Sequence, residues 1–289
     1  MPELPEVETV RRDLAKVLPA KKITALKVFS PKTVKPSAAT FIKKLKGASF
    51  TNLNRRGKLL IFTLNQPNLF LLIHLKMTGQ LIYLSPSQVI TGGHSFSQEE
   101  RSRSFPNQHT RVSLTFEDGS QLFFNDLRRF GYLRLVDAKT LEQIIANNYG
   151  SEPLDKSFTQ EGLAANLKKS RRSVKAVLLD QKVIAGLGNI YVDESLFAAG
   201  IRPTRVANSL KPVEVSRLFK VIPEILRKSL KYRGTTFRNY LDSSGRKGNF
   251  SEKLQVYGRG GQKCYRCGKI IEKIRVAGRG THYCPHCQK

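Results

Sequence analysis

Along the first half of the chain, apolar residues recur with period two or in short unbroken runs. Residues 22–29 alternate, 58–64 (KLLIFTL) and 69–75 (LFLLIHL) are continuous, and 79–84, 111–117, 120–125 and 131–136 follow. Asp118-Gly119, between two of these segments, is a strong hairpin signal. Many short strands with few helices predict a β-sandwich. One helical stripe precedes them: Val7, Val10, Leu14 and Val17 share a face over residues 5–18, and Pro19 ends it. From about residue 138 the period becomes helical, with segments at 139–147, 159–168, 173–180, 190–199 and 212–232, the fourth closed by Gly200 and Pro203. Residues 85–108 and 234–252 are polar, rich in Ser, Gly and Arg, and read as loops. The pattern predicts an α+β multidomain chain. It comprises an N-terminal β-sandwich with flanking helices over 1–137, a linker at 138–152, a helical domain over 153–252 and a β-hairpin tail over 253–289.

Charge narrows the partner. The 289 residues carry a formal net charge of +28, which favours a polyanion, either nucleic acid or an acidic membrane surface. The longest apolar run, Leu69 to Leu75, is broken by His74 and is far short of the roughly 20 residues a bilayer span needs. The acidic N-terminus lacks the apolar core of a signal peptide. A soluble cytoplasmic protein acting on nucleic acid is the expectation. All the cysteines fall between residues 264 and 287, so they form one local site and not a secreted disulfide framework.

Four groups of residues could carry chemistry. Cys264-x2-Cys267-x16-Cys284-x2-Cys287 places four thiolates in two close pairs, as tetrahedral zinc requires, with no position left for a metal-bound water. The site is therefore read as structural, with a redox role for either pair as the alternative. His282 and His286 are not needed as ligands. The segment between the pairs alternates and turns at Ala277-Gly278, a metal-held hairpin with Arg279 beside its tip. At the other end stands PELPEVETVRRD. A small residue after Met1 usually permits its removal, leaving Pro2 as a secondary amine. Such an α-amino group titrates near neutrality and is a usable nucleophile. Glu3 beside it could donate or accept a proton. The alternative is an acidic helix start, with Glu3, Glu6 and Glu8 favourably placed on the dipole.

The remaining groups are weaker. Arg56-Gly57-Lys58 begins a strand, where the lysine could face phosphate or be simply solvated. The turns HLKMTG and DLRRFG carry Met77, Arg128 and Phe130, which could fill the gap left by a flipped base or merely cover a turn. Gly186-Leu-Gly188-Asn189 leads into a helix whose first amides suit phosphate or only cap it. Lys168, Lys169, Arg171, Arg172 and Lys175 form a basic run, most simply a solvated face.

Taken together, PELPEVET, the RGK lysine, the Met-Arg-Phe turns, AGLGNIYVDESLFAAG and the terminal four-cysteine hairpin closing on Cys287-Gln288 resemble the formamidopyrimidine-DNA glycosylases, in the same order along the chain. The resemblance implies a helix–two-turns–helix DNA-binding domain and a zinc-finger β-hairpin holding one structural zinc ion through Cys264, Cys267, Cys284 and Cys287. It implies excision of oxidised purines from double-stranded DNA by Pro2 and Glu3. Lys58 and Arg279 would then assist β,δ-elimination. DNA contacts are implied for Glu6, His109, Arg128, Arg171, Asn189, Met77 and Phe130, and a lesion-capping loop at about 235–252. Arg111 stands where the family commonly has a second histidine, and Arg171 where it has a lysine. A monomer working in the cytoplasm, associated with the nucleoid, is expected. The rival readings are the sister enzyme for oxidised pyrimidines, a non-catalytic zinc-ribbon DNA binder and an RNA-binding translation factor.

Overall fold

The computed structural model describes residues 1–93, 104–235 and 250–289. The chain forms two compact units, Met1–Ile145 with Tyr232–Asn249, and Ala146–Lys231 with Phe250–Lys289.

In the first unit, two five-stranded sheets enclose one apolar core, so the expected sandwich is present. One sheet has the order β1-β8-β9-β6-β7 and the other β2-β10-β5-β4-β3. The strands are β1 (Ile23–Val28), β2 (Val34–Lys35), β3 (Phe50–Arg56), β4 (Leu59–Leu64), β5 (Leu69–His74), β6 (Gly79–Ser85), β7 (Gln88–Gly93), β8 (Thr110–Phe116), β9 (Gln121–Asp126) and β10 (Tyr132–Asp137). Leu60, Phe62, Leu71 and Ile73 of one sheet and Leu81, Val112, Leu114 and Phe124 of the other share this core. Helix α1 (Leu4–Leu14) adds Val7, Val10 and Leu14. It stops short of the expected residue 18 because its last turn tightens, with the Val17 amide donating to Leu14 O (3.1 Å).

Four elements were not legible in the pattern, the shortest being the two-residue strand β2. Helix α2 (Ala38–Leu45) is capped by Ser37, whose hydroxyl accepts the Thr40 amide, and it buries only Phe41 and Leu45. β3 is an edge strand with mostly polar outward positions. β7 lies in the expected 85–108 loop and pairs with β6 from Gln80↔Gly93 to Ser85↔Gln88. Its glycines looked like turn residues but make room for neighbours. A Cβ on Gly92 would lie 2.3 Å from Val10 Cγ2, and Gly93 (φ +118) sits against Gly79 O. Residues 94–103 of that stretch, and 236–249 of the proposed capping loop, lie outside the described residues.

Past the sandwich, helix α3 (Ala138–Asn148) forms where a helical segment over 139–147 is expected, within the stretch read as the linker. The second unit holds α4 (Gln160–Lys168), α5 (Val174–Leu178), α6 (Asn189–Ala199) and α7 (Pro212–Lys231), then the hairpin β11 (Glu272–Val276) and β12 (Arg279–Tyr283). Gly200 ends α6 in the left-handed conformation (φ 73). The hairpin turns on Ala277 (φ 50) and Gly278 (φ 71), the paired positive φ values of a type I′ turn. Among the described residues no helix is long and apolar enough to cross a membrane.

Candidate active site and zinc centre

Pro2 and Glu3 are buried at the start of α1. The Glu3 amide donates to Glu6 Oε2 (2.9 Å), one half of a capping box. Glu6 Oε1 accepts from the Thr235 amide (2.8 Å) and hydroxyl (3.1 Å). Glu6, expected as a DNA contact, is thus fully buried and engaged with protein on both oxygens. Asp13 further down the helix pairs with Arg233.

Glu8 does more than decorate a helix dipole. Its carboxylate accepts from Arg11 Nη2 (2.8 Å), Arg12 Nε (2.8 Å) and Arg55 Nε (3.0 Å). Burial alone would raise its pKa, but the hydrogen bonds from Arg11 and Arg12 and the charges of Arg55 and Arg11 outweigh it and lower the carboxyl to about 2. Arg55 also donates to Gly57 O (2.9 Å), and Gly57 (φ 55) makes the turn that delivers Lys58. A continuous polar path therefore fixes the RGK turn to α1. Lys58 is buried, and its charge is felt by His74, which ends β5 opposite Leu59. Burial first, then Lys76 and Lys58, pull the His74 imidazole down to about 3. It is neutral, and its Nδ1 accepts the Lys76 amide (3.0 Å).

The two turns expected to fill a base gap meet. Arg128 Nη1 lies 3.0 Å from Met77 Sδ, and its guanidinium stacks 4.7 Å from the centroid of Phe130. Phe130 is 52% exposed. His109 is half-buried beside them, its carbonyl accepting the Asp126 amide (2.9 Å).

In the second unit, Gly188 caps α6 in an extended conformation and Asn189 is its first residue. Gln181 braces the approach, accepting from the Gly186 amide (2.9 Å) and donating to Leu187 O (2.8 Å). Asn189 Nδ2 donates to Gly280 O (2.8 Å), next to Arg279. Arg171 and Arg279 are exposed. Lys175, grouped by sequence with a solvated basic face, is fully buried. It donates to Asp193 Oδ1 (2.6 Å) and to Gly280 O (3.4 Å). Asp193 Oδ2 accepts the His282 amide (2.9 Å). The neighbouring Glu194 accepts the amides of Gln255, Val256 and Tyr257, each at 2.9 Å. Two consecutive buried carboxylates on α6 thus pin the tail that carries Arg279. Sequence reasoning missed both, since an acidic pair inside an apolar helix gives no sign of what it will accept.

The four cysteine sulfurs lie within 4.8 Å of one another. The Gln288 side chain fixes the second pair, accepting the Cys284 amide (2.8 Å) and donating to Ile201 O (2.9 Å). The Lys269 backbone lowers the Cys267 thiol to about 7, whereas burial raises Cys284 and Cys287. Four sulfurs so close ionise together only around a cation, and thiolates suit zinc. Bound there, zinc ties the two ends of the hairpin into one unit.

Comparison with known proteins identifies the class. Residues 1–133 match the formamidopyrimidine-DNA glycosylase N-terminal domain, 149–240 the H2TH domain of the same enzymes, and 261–289 the zinc finger found in FPG and IleRS. Formamidopyrimidine-DNA glycosylase of Moorella thermoacetica is 43% identical over 271 residues, covering 93% of each chain. That of Pelotomaculum thermopropionicum is 41% identical over 270 residues, covering 93% of this chain and 92% of the relative. Two Lactococcus lactis structures align at 36% identity. One is a variant enzyme with DNA containing Fapy-dG (TM-score 0.87, all of both chains), the other a complex with abasic-site DNA (TM-score 0.86, 99% of both). The chain belongs to the formamidopyrimidine-DNA glycosylase family. It is a DNA glycosylase of base excision repair, and its four-cysteine tail is the family's zinc finger.

Proposed function

We propose that this enzyme excises oxidised purines, such as 8-oxoguanine and ring-opened formamidopyrimidines, from duplex DNA and then cuts the strand. The Pro2 nitrogen, freed by removal of Met1, attacks C1′ of the damaged nucleotide and the C1′–N bond to the base breaks. Glu3 protonates the ring oxygen, the sugar opens and an iminium ion joins Pro2 to C1′. That cation withdraws electrons, so a C2′ proton is lost and the 3′-phosphate leaves, followed by the 5′-phosphate. Lys58 and Arg279 hold the departing phosphates, and a one-nucleotide gap with phosphate at both ends remains. His109, Arg171 and Asn189 contact the DNA backbone, Met77, Arg128 and Phe130 occupy the vacated space, and Glu6 orders the site edge around Thr235. The zinc ion is structural. The setting is the cytoplasm, on the nucleoid.

The observation that carries this reading is the N-terminus itself. A chain end is ordinarily the most mobile part of a protein, yet here Pro2 and Glu3 are buried and fixed by Glu6. Reacting groups held in one geometry gain orders of magnitude in rate. The test is excision from matched duplexes carrying 8-oxoguanine or thymine glycol, with the ends read on a sequencing gel. Preferential cleavage at 8-oxoguanine with phosphate at both ends is expected. Preference for thymine glycol would assign the chain to the pyrimidine-directed sister activity.

A further inference from the structure

Asp126 ends β9 and is almost fully buried. Its carboxylate is spent on the backbone of the two turns above it. Oδ1 accepts from the Thr78 hydroxyl and the Arg128 amide (3.2 Å), and Oδ2 accepts the Gly131 amide (2.6 Å). Thr78 Oγ1 also accepts the Arg128 amide (3.0 Å). One acid therefore ties the Met77-Thr78 turn to both ends of the Arg128-Arg129-Phe130 turn. Below it, Arg111 Nε donates to Asp126 O (3.0 Å) and Arg111 Nη1 to Gln108 O (3.2 Å), while the Asp126 amide donates to His109 O (2.9 Å). The packing leaves no slack. Arg129 adopts φ 60, and a Cβ on Gly131 would lie 2.7 Å from Phe124 Cζ and 3.1 Å from Asp126 Oδ2.

We propose that Asp126 is a positioning residue that holds Met77, Arg128 and Phe130 as one preformed wedge. The filler then stands in place before the base leaves the stack. This rests on the reading of those three side chains as void fillers. A wedge assembled only after flipping would have to order two turns and three long side chains at the moment of greatest cost. The carboxylate's two acceptor oxygens are essential to the arrangement. An amide at this position would keep Oδ1 but set an NH2 group against the Gly131 amide, donor facing donor.

The experiment compares duplex excision with a reaction that has no stacked base to displace. Asp126→Asn is expected to slow single-turnover release of 8-oxoguanine from duplex by roughly ten- to a hundredfold, as a small misplacement of reacting partners does. Borohydride trapping of the same variant on a single-stranded abasic oligonucleotide is expected to stay within about twofold of wild type. Thr78→Val, which removes the hydroxyl's two hydrogen bonds at nearly constant volume but leaves the Arg128 and Gly131 amides on Asp126, is expected to show a smaller loss confined to duplex. Equal losses on both substrates, or none on duplex, would overturn the proposal. Phe130→Ala separates the two possible failures. If it excises like wild type, the wedge reading itself fails. If it is impaired while Asp126→Asn is not, only the inference about Asp126 fails.

Discussion

Phe50 meets Phe62 and Phe116 edge-on between the sheets of the sandwich, with ring centroids 5.3 and 6.4 Å away. Around them lies a continuous apolar cluster drawn from both sheets and α1. The tail of the second unit has nothing comparable. Its buried cluster is Phe197, Val256 and Ile271 with the sulfurs of Cys264 and Cys284. One region is held by apolar burial and the other by a metal and buried hydrogen bonds. The sandwich carries Pro2, Glu3 and Lys58, the residues proposed for the chemistry, on its apolar core. The tail bears Arg279 on a two-stranded hairpin, a form too small to be stable alone. Its position is set from outside, by zinc at one end and by Asn189, Lys175 and Asp193 at the other.

Removing the metal should divide the two regions most sharply. Structural zinc is worth roughly 10–16 kcal/mol in small zinc elements. Chelation, or Cys284→Ala, should therefore disorder the hairpin and abolish tight duplex binding, while the sandwich keeps its own melting transition. Calorimetry beside a zinc assay checks this, and a sandwich that melts with the metal would erase the distinction. Next in size is the Lys175–Asp193 pair. Asp193→Ala strands a buried cation and should cost about 3–5 kcal/mol in the second unit, whereas replacing both partners with apolar residues of similar volume should recover most of it. Urea unfolding of the single and double variants decides between these outcomes.

The smallest effect belongs to the sandwich. The Glu8 carboxyl is depressed from an ordinary 4.5 to about 2, so its contribution is complete above pH 4.5 and is lost as pH falls through 2. At most about 3 kcal/mol is at stake. The stability gap between wild type and Glu8→Gln should close across that window in pH-stepped denaturation, and a gap that persists at pH 2 would assign the loss to packing.

Periodicity exposed the strands that bury one face and the helices with an apolar stripe, because those patterns follow directly from which side meets the core. It missed β3 and β7, edge strands with polar faces, and Gly92, whose purpose becomes visible only once Val10 is beside it. The metal site was legible because its ligands are close in sequence. Glu8, Asp193, Glu194 and Asp126 were not, because a buried carboxylate is explained by partners distant along the chain. Lys175 was misread for the same reason. Surrounded by exposed cations in sequence, it turns inward to an acid that sequence distance concealed.

The central claim is that the amine of Pro2 joins covalently to the deoxyribose. Borohydride reduction during reaction tests it most directly, using zinc-loaded protein lacking Met1 and a duplex containing 8-oxoguanine. A protein–DNA adduct should form, with mass spectrometry placing the link on Pro2, and Pro2→Gly or retention of Met1 should weaken or abolish it. Efficient base release with no reducible adduct, or an adduct mapped to a lysine, would contradict the account.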